Sequence, residues 1–221
     1  MFYWVSSFIV GVLLRILTRF RVEGVENVPL EGPLLVVANH LHFVDPPLLG
    51  AVMPRKVIFM AKSELFPMLI LGLIVRAYEA FPIRRGEKDI SALRRAMKVL
   101  ATGKALGVFP EGTRSPDGQL QRGRLGAAML ARRTNALILP VAISGTHSFL
   151  QRYNLFHRPV VRVVIGKPFR PETDESGSAK AREAELTDLI MRRIAELMPP
   201  SQRGIYADVE ALPEALSTDR L

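Results

Sequence analysis

Short, nearly continuous apolar runs alternate along this chain with stretches whose apolar positions recur every three or four residues. The runs fall at 20–23, 34–38, 57–60, 77–83, 105–109, 136–143 and 160–165. Because they do not place a polar residue at every second position, they predict strands of a sheet covered on both faces. The longer spacing predicts helices at 46–53, 90–102, 122–133 and 179–197. In the clearest of these Ile90, Leu93, Met97 and Leu100 share a face, Asp89 stands as N-cap and Gly103 as the stop. Strand and helix in alternation predict an α/β fold, a mixed, largely parallel sheet of about seven strands flanked by helices.

Two further apolar stretches fit less simply. Residues 2–20 read as a helix with aromatics at its start and arginines at its end, and its uncharged part stops at Arg15. That is short of the roughly 20 residues a spanning helix needs, and no basic segment precedes it as in a signal peptide. It suits a helix lying in one membrane leaflet, or a helix packed as core. The stretch 65–75 carries no charge and presents the same two options. The organisation expected is a membrane-associating helix over 1–20, an α/β domain over 21–200, and a tail over 201–221 whose last residues lack periodicity and are expected to be mobile.

The chain has 221 residues, enough for one domain with a full core. It holds no cysteine, which excludes disulfides and thiolate metal sites. A hydrophobic content of 48% and a mean hydropathy of +0.18 are high for a freely soluble enzyme and favour a lipid-facing one. The formal charge of +9 is uneven: residues 1–171 hold 24 Lys/Arg against 10 Asp/Glu, and the remainder holds 6 against 11. The excess implies an anionic partner, such as membrane phospholipid or a phosphorylated substrate. Nucleic acid is not expected, since there is no zinc pattern, RNA-binding aromatic block or long basic helix.

Two short blocks carry candidate chemistry. Residues 39–46 read Asn-His-Leu-His-Phe-Val-Asp-Pro and residues 109–115 read Phe-Pro-Glu-Gly-Thr-Arg-Ser. His40 follows an apolar strand and so belongs at the carboxyl end of the sheet, where open α/β folds place their sites. Asp45, ahead of Pro46 and Pro47, reads as a helix N-cap, and a carboxylate fixed there can also receive the imidazole N–H and favour proton abstraction by His40. His42 raises a rival: His-x-His with Asp45 resembles part of a hydrolase metal site, although only His147 and His157 remain to complete it. In the second block Gly112 permits close approach of a ligand, while Thr113 and Arg114 offer a hydroxyl and a planar fork suited to phosphate. Glu111 cannot attract phosphate and is expected to orient the arginine or the acceptor. Pro116-Asp117-Gly118 predicts a tight turn. No Gly-x-Ser-x-Gly elbow is present, which argues against a serine hydrolase.

The two blocks resemble those of the glycerolipid acyltransferase family, in particular its 1-acylglycerol-3-phosphate acyltransferases, whose signature begins with His-x4-Asp. Phe81-Pro-Ile-Arg-Arg-Gly86 is similar to the family's second block, whose arginine maps onto Arg85, with Arg84 where relatives often have Asp. Leu139-Pro-Val-Ala142, followed by Ser144-Gly-Thr146, is similar to the fourth, and puts Pro140 on the acyl-donor side. Residues 199–206 look like the family's tail. The resemblance implies transfer of a fatty acyl chain from acyl-CoA or acyl carrier protein to the sn-2 hydroxyl of lysophosphatidate, forming phosphatidate. It assigns His40 and Asp45 to catalysis and Arg85, Glu111, Gly112, Thr113 and Arg114 to the acceptor. It implies neither metal nor cofactor, and a membrane-associated enzyme on the cytoplasmic face. The alternatives are another lysophospholipid or glycerol 3-phosphate as acceptor, a metal-dependent hydrolase, or a non-catalytic lipid-binding module.

Overall fold

A computed structural model describes residues 2–84, 89–147, 158–171 and 178–207. In chain order its elements are α1 (Phe2–Leu17), β1 (Arg19–Glu23), β2 (Leu34–Ala38), α2 (Asp45–Val52), β3 (Val57–Lys62), α3 (Leu69–Ala77), β4 (Phe81–Ile83), α4 (Ile90–Ala101), β5 (Ala105–Val108), α5 (Gly126–Thr134), β6 (Leu137–Ser144), β7 (Val160–Ile165) and α6 (Ala179–Leu197). The strands form one sheet in the order β1-β7-β6-β2-β5-β3-β4, parallel at every pair except β6 with β7. The mixed, largely parallel α/β sheet expected from the apolar runs is therefore present.

Strand β2 shows why those runs are unbroken, for it is buried at every position. Leu35 and Val37 point into the core made with α4, α5 and α6, whereas Leu34, Val36 and Ala38 point into the core made with α1 and α2. Alternate residues thus face two different apolar layers, and neither face of the strand meets water. Helix α4 is capped as its sequence predicts: Asp89 accepts from the Ala92 N–H at 3.0 Å, and Gly103 follows the end at φ 73°.

Three expected boundaries shift. Only Phe81–Ile83 of the predicted strand 77–83 is extended; Ala77 ends α3, and the chain reverses through Glu79 at φ 50°. The helix read from 65–75 begins at Leu69, after a 3-10 turn at Ser63–Leu65. The helix read from 122–133 begins at Gly126, because the Arg124 N–H is given to the Pro110 carbonyl at 2.8 Å instead of a helical partner. Residues 208–221 lie outside the described residues, while Pro200–Gln202 and Gly204–Tyr206 form turns held on Gln119 and Leu120.

Helix α1 packs as core along one face and leaves the other bare. Tyr3, Ser7, Gly11 and Leu14 are buried, and the Tyr3 hydroxyl accepts the buried Val57 N–H at 3.0 Å. Gly11 lets α1 come close to Ala51 of α2. The opposite face leaves Phe2, Phe8 and Ile16 more than 60% exposed, with Trp4, Val5, Ile9 and Leu13 about half exposed between them. Beyond its end, Arg158 donates to the Arg15 and Thr18 carbonyls, a cation placed where helix carbonyls lack partners. Among the described residues no helix is long and apolar enough to cross a membrane.

Candidate active site

Strands β2 and β5 run side by side and parallel, with Val37 opposite Val108, so the segments that leave their carboxyl ends emerge together. Asn39 and His40 leave one, and residues 109–115 leave the other. Two backbone contacts join them: the His40 N–H donates to Glu111 Oε1 at 2.7 Å, and the Ser115 N–H donates to the His40 carbonyl at 2.8 Å. On the other side of β2, Asn39 spans to β6, donating Nδ2–H to the Ile143 carbonyl at 2.8 Å and accepting the Ile143 N–H at 2.7 Å. His40 is thus fixed from both neighbouring strands.

Its ring is fixed by Asp45, with Nδ1 2.9 Å from Oδ2. Asp45 is not the N-cap that its sequence suggests. It is the first residue of α2, and its carboxylate turns back to accept the Leu41 and His42 N–H groups, each at 2.7 Å. Capping would find no donor here, because Pro46 and Pro47 have no N–H and the Leu48 N–H already goes to the Val44 carbonyl. Oδ2 already acts as acceptor for both backbone N–H groups, so Nδ1 turns its hydrogen toward it and Nε2 presents its lone pair. Nε2 has no partner among the described residues. The ring stacks on the half-buried Phe109 with centroids 4.1 Å apart, and both His40 and Asp45 are buried.

Glu111 is only 2% exposed and lies inward. Its second oxygen accepts the Gln121 N–H at 3.1 Å, and no cation pairs with it among the described residues. Burial pushes its pKa up to about 7, against the opposing pull of the two N–H donors. The Glu111 carboxylate reaches the backbone of the histidine, and its contact with an arginine is made by its carbonyl, which accepts from Arg124 Nε–H at 3.3 Å. Gly112 takes φ 73°, closing a turn in which its N–H returns to the Phe109 carbonyl at 3.0 Å. Thr113 and Arg114 follow on the exposed side, and the turn at Asp117-Gly118 forms as predicted. His42 gives its N–H to Asp45, while its ring packs beside Phe43 with a buried, unpartnered Nδ1. Burial lowers the His42 pKa; Asp45 opposes this, and Arg114, His40 and His147 add to it. No group of three or more His, Asp or Glu that could hold a metal ion occurs among the described residues.

Behind the loop lies a cavity of about 520 Å³, lined mainly by apolar side chains of β3, β5, α4 and α5 that include Met60, Leu93, Met129 and Leu130. It reaches the site through Phe109, Pro110 and Gly112. Pro140 is not part of its lining. It is buried in β6 opposite Val37, and its carbonyl accepts from Gly166 where the antiparallel partner has one extra residue between Ile165 and Phe169. That bulge is why proline is tolerated inside the sheet. Arg84 lines the cavity's far wall, and Arg85 lies outside the described residues. Sequence reasoning assigned no role to Asn39, Phe109 or Arg124; only a polar residue directly after an apolar strand signalled the first.

Comparison with known proteins places these blocks in context. The family described as Acyltransferase matches residues 19–144. A 1-acyl-sn-glycerol-3-phosphate acyltransferase of Bacillus subtilis is 31% identical over 188 residues, covering 84% of this chain and 92% of the relative. A chloroplastic 1-acyl-sn-glycerol-3-phosphate acyltransferase of Arabidopsis thaliana is 29% identical over 77% of this chain, which spans half the plant protein's length. A lyso-ornithine lipid O-acyltransferase of Pseudomonas aeruginosa is 36% identical over 51% of the chain and 43% of its own length. The crystal structure of the 1-acyl-sn-glycerophosphate acyltransferase PlsC from Thermotoga maritima superposes with a TM-score of 0.66 at 28% identity, covering 85% of this chain and 78% of that one. The family match takes in β1 through β6 and both blocks of the site: this chain belongs to the acyltransferase family.

Proposed function

We propose that this enzyme moves a fatty acyl chain from the thioester of acyl-CoA or acyl carrier protein to the sn-2 hydroxyl of lysophosphatidate, giving phosphatidate and the free thiol. The observation that carries this reading is the Asp45-oriented His40, with Nε2 open, on one rim of a site whose other sides are a basic loop and an apolar cavity. His40 Nε2 takes the hydroxyl proton as that oxygen attacks the thioester carbonyl; the tetrahedral oxyanion collapses, the C–S bond breaks, and the imidazolium returns its proton to the departing sulfur. The thioester is already activated, so positioning and general base catalysis suffice without an acyl-enzyme. Arg114, Thr113 and the Gly112 backbone take the acceptor phosphate, with Arg85 assigned there by the resemblance alone, and the cavity takes the acyl chain.

The bare face of α1 supports attachment to one leaflet at the cytoplasmic surface, where the acceptor resides. Phe2, Trp4, Phe8 and Leu13 would enter the lipid, with Arg15, Arg19 and Arg21 among anionic headgroups. Incubating the purified protein with lysophosphatidate, lyso-ornithine lipid, glycerol 3-phosphate and each donor tests the proposal. Phosphatidate formed by the native chain and lost in His40→Ala supports it; a preference for lyso-ornithine lipid would move the enzyme to a different acceptor.

A further inference from the structure

Arg124 stands nine residues beyond the second block, in a stretch read from the sequence only as the start of a helix. Its place is set by Gly112. A Cβ at Gly112 would lie 2.7 Å from Arg124 Nε and 2.8 Å from its Cδ, so the stem of the arginine occupies the space that a side chain would need. The arginine is tied to the loop twice: its backbone N–H goes to the Pro110 carbonyl at 2.8 Å, and its Nε–H to the Glu111 carbonyl at 3.3 Å. The terminal guanidinium nitrogens have no hydrogen bond or ion pair among the described residues. Asp117, the nearest carboxylate in sequence, accepts from the Ser115 hydroxyl and the Gln119 N–H, Glu111 is turned away toward His40, and no acid occurs from 118 to 171. Arg124 also lines the cavity beside Phe109, the ring that stacks on His40. An anchored fork with its outer edge open, packed against Gly112 at the edge of the cavity, is a built anion contact.

We propose that Arg124 is a second cation of the acceptor-phosphate site, and that with Arg114 it selects a dianionic phosphomonoester over a phosphodiester. The inference rests on the acyl-transfer reading above. A phosphomonoester carries nearly two charges at neutral pH and has three free oxygens, whereas a diester carries one charge and two. One guanidinium serves either; two held on the same loop reward only the monoester.

The test compares kinetics of native enzyme, Arg124→Ala, Arg124→Gln and Arg124→Lys on lysophosphatidate and on lysophosphatidylglycerol. Arg124→Ala should raise KM for lysophosphatidate about tenfold or more while leaving the donor KM unchanged, and should shrink the monoester-to-diester ratio of kcat/KM by a similar factor. Arg124→Gln keeps an N–H for the Glu111 carbonyl and should still behave like Arg124→Ala, whereas Arg124→Lys should recover part of the loss. A fall in kcat alone, with both KM values and the ratio unmoved, would show a latch for the Glu111 loop and overturn the proposal. A rise confined to the donor KM would overturn it too. Titration with glycerol 3-phosphate separates this outcome from failure of the acyl-transfer reading: weaker binding by Arg124→Ala than by the native chain supports the anion contact even without turnover, and equal or absent binding refutes it.

Discussion

His40 and Glu111 are joined through the backbone of the histidine and not through its ring: the His40 N–H meets Glu111 Oε1 at 2.7 Å, while Nδ1 is committed to Asp45. Two carboxylates therefore divide one task. Asp45 sets the ring's tautomer and direction, and Glu111 sets where the residue itself stands between β2 and β5.

Glu111 makes the fold sensitive to pH in a predictable direction. Its pKa rises from 4.5 to about 7 on burial, so the folded chain binds its proton more tightly than the unfolded chain does. The stability from this group is fully present below about pH 4.5 and lost as the pH climbs through about 7, a change of roughly 3 kcal/mol. Denaturant unfolding at pH 5 and pH 8 should show that loss in the native chain and little of it in Glu111→Gln. Equal slopes in the two proteins would mean that Glu111 is not the group responsible.

Asp45→Asn should lose kcat by roughly 10²–10⁴-fold, because the Leu41 and His42 N–H groups hold the amide oxygen where Oδ2 stood and the neutral amide no longer balances the imidazolium formed at His40. The variant keeps one acceptor oxygen for Leu41 and His42, so thermal unfolding should show a far smaller effect than removal of both oxygens in Asp45→Ala. Comparable kcat in Asp45→Asn and native enzyme would remove Asp45 from the mechanism.

The cavity offers a test at two glycines. Gly126 lines it and has no atom within 4 Å of the place a Cβ would take, whereas a Cβ at Gly107 would stand 2.2 Å from the Phe59 ring. Gly126→Leu should fill space and shift donor preference toward shorter acyl chains, with stability nearly unchanged. Gly107→Ala should instead destabilise the fold by about 1–3 kcal/mol through overpacking. An unaltered chain-length profile in a folded Gly126→Leu protein would place the acyl chain elsewhere.

For membrane attachment the packing of α1 decides which variant is informative. Deleting the helix would strand the Val57 N–H and strip apolar cover from α2, so loss of activity would say nothing about lipid. Trp4→Ser, Phe8→Ser and Leu13→Ser together alter only exposed positions. They should release the protein from anionic vesicles, from which high salt alone should not release the native chain. Native protein that fails to sediment with such vesicles would leave the exposed face without its proposed partner.

Sequence pattern reached the sheet more fully than the site. Strands covered on both faces write themselves as unbroken apolar runs, so β2 and β5 were legible nearly to the residue. The start of the 77–83 run was misjudged because Ala77, which ends α3, and Tyr78 and Ala80, which follow it, are as apolar as the strand, and only Glu79 marks the reversal between them. At the site, residue types and spacing pointed to the His40–Asp45 pair, but the direction of a carboxylate is a matter of available donors. Asp45 turned back because two prolines withhold theirs, and Glu111 turned inward because the His40 and Gln121 N–H groups lie there. Arg124 left no trace, since its position depends on an absent side chain at Gly112.

Helix α1 meets α2 at Gly11 and Ala51, and α2 begins with the aspartate that aims the catalytic ring. A rigid train of parts therefore connects the outermost apolar surface of the molecule to the base. If that surface rests in lipid as proposed, the elevation of His40 above the bilayer is a constant of the architecture, not something each encounter must find. Such an enzyme behaves as a depth gauge: an acceptor hydroxyl at one level of the leaflet is within reach, and the same hydroxyl a few ångströms deeper or shallower is not.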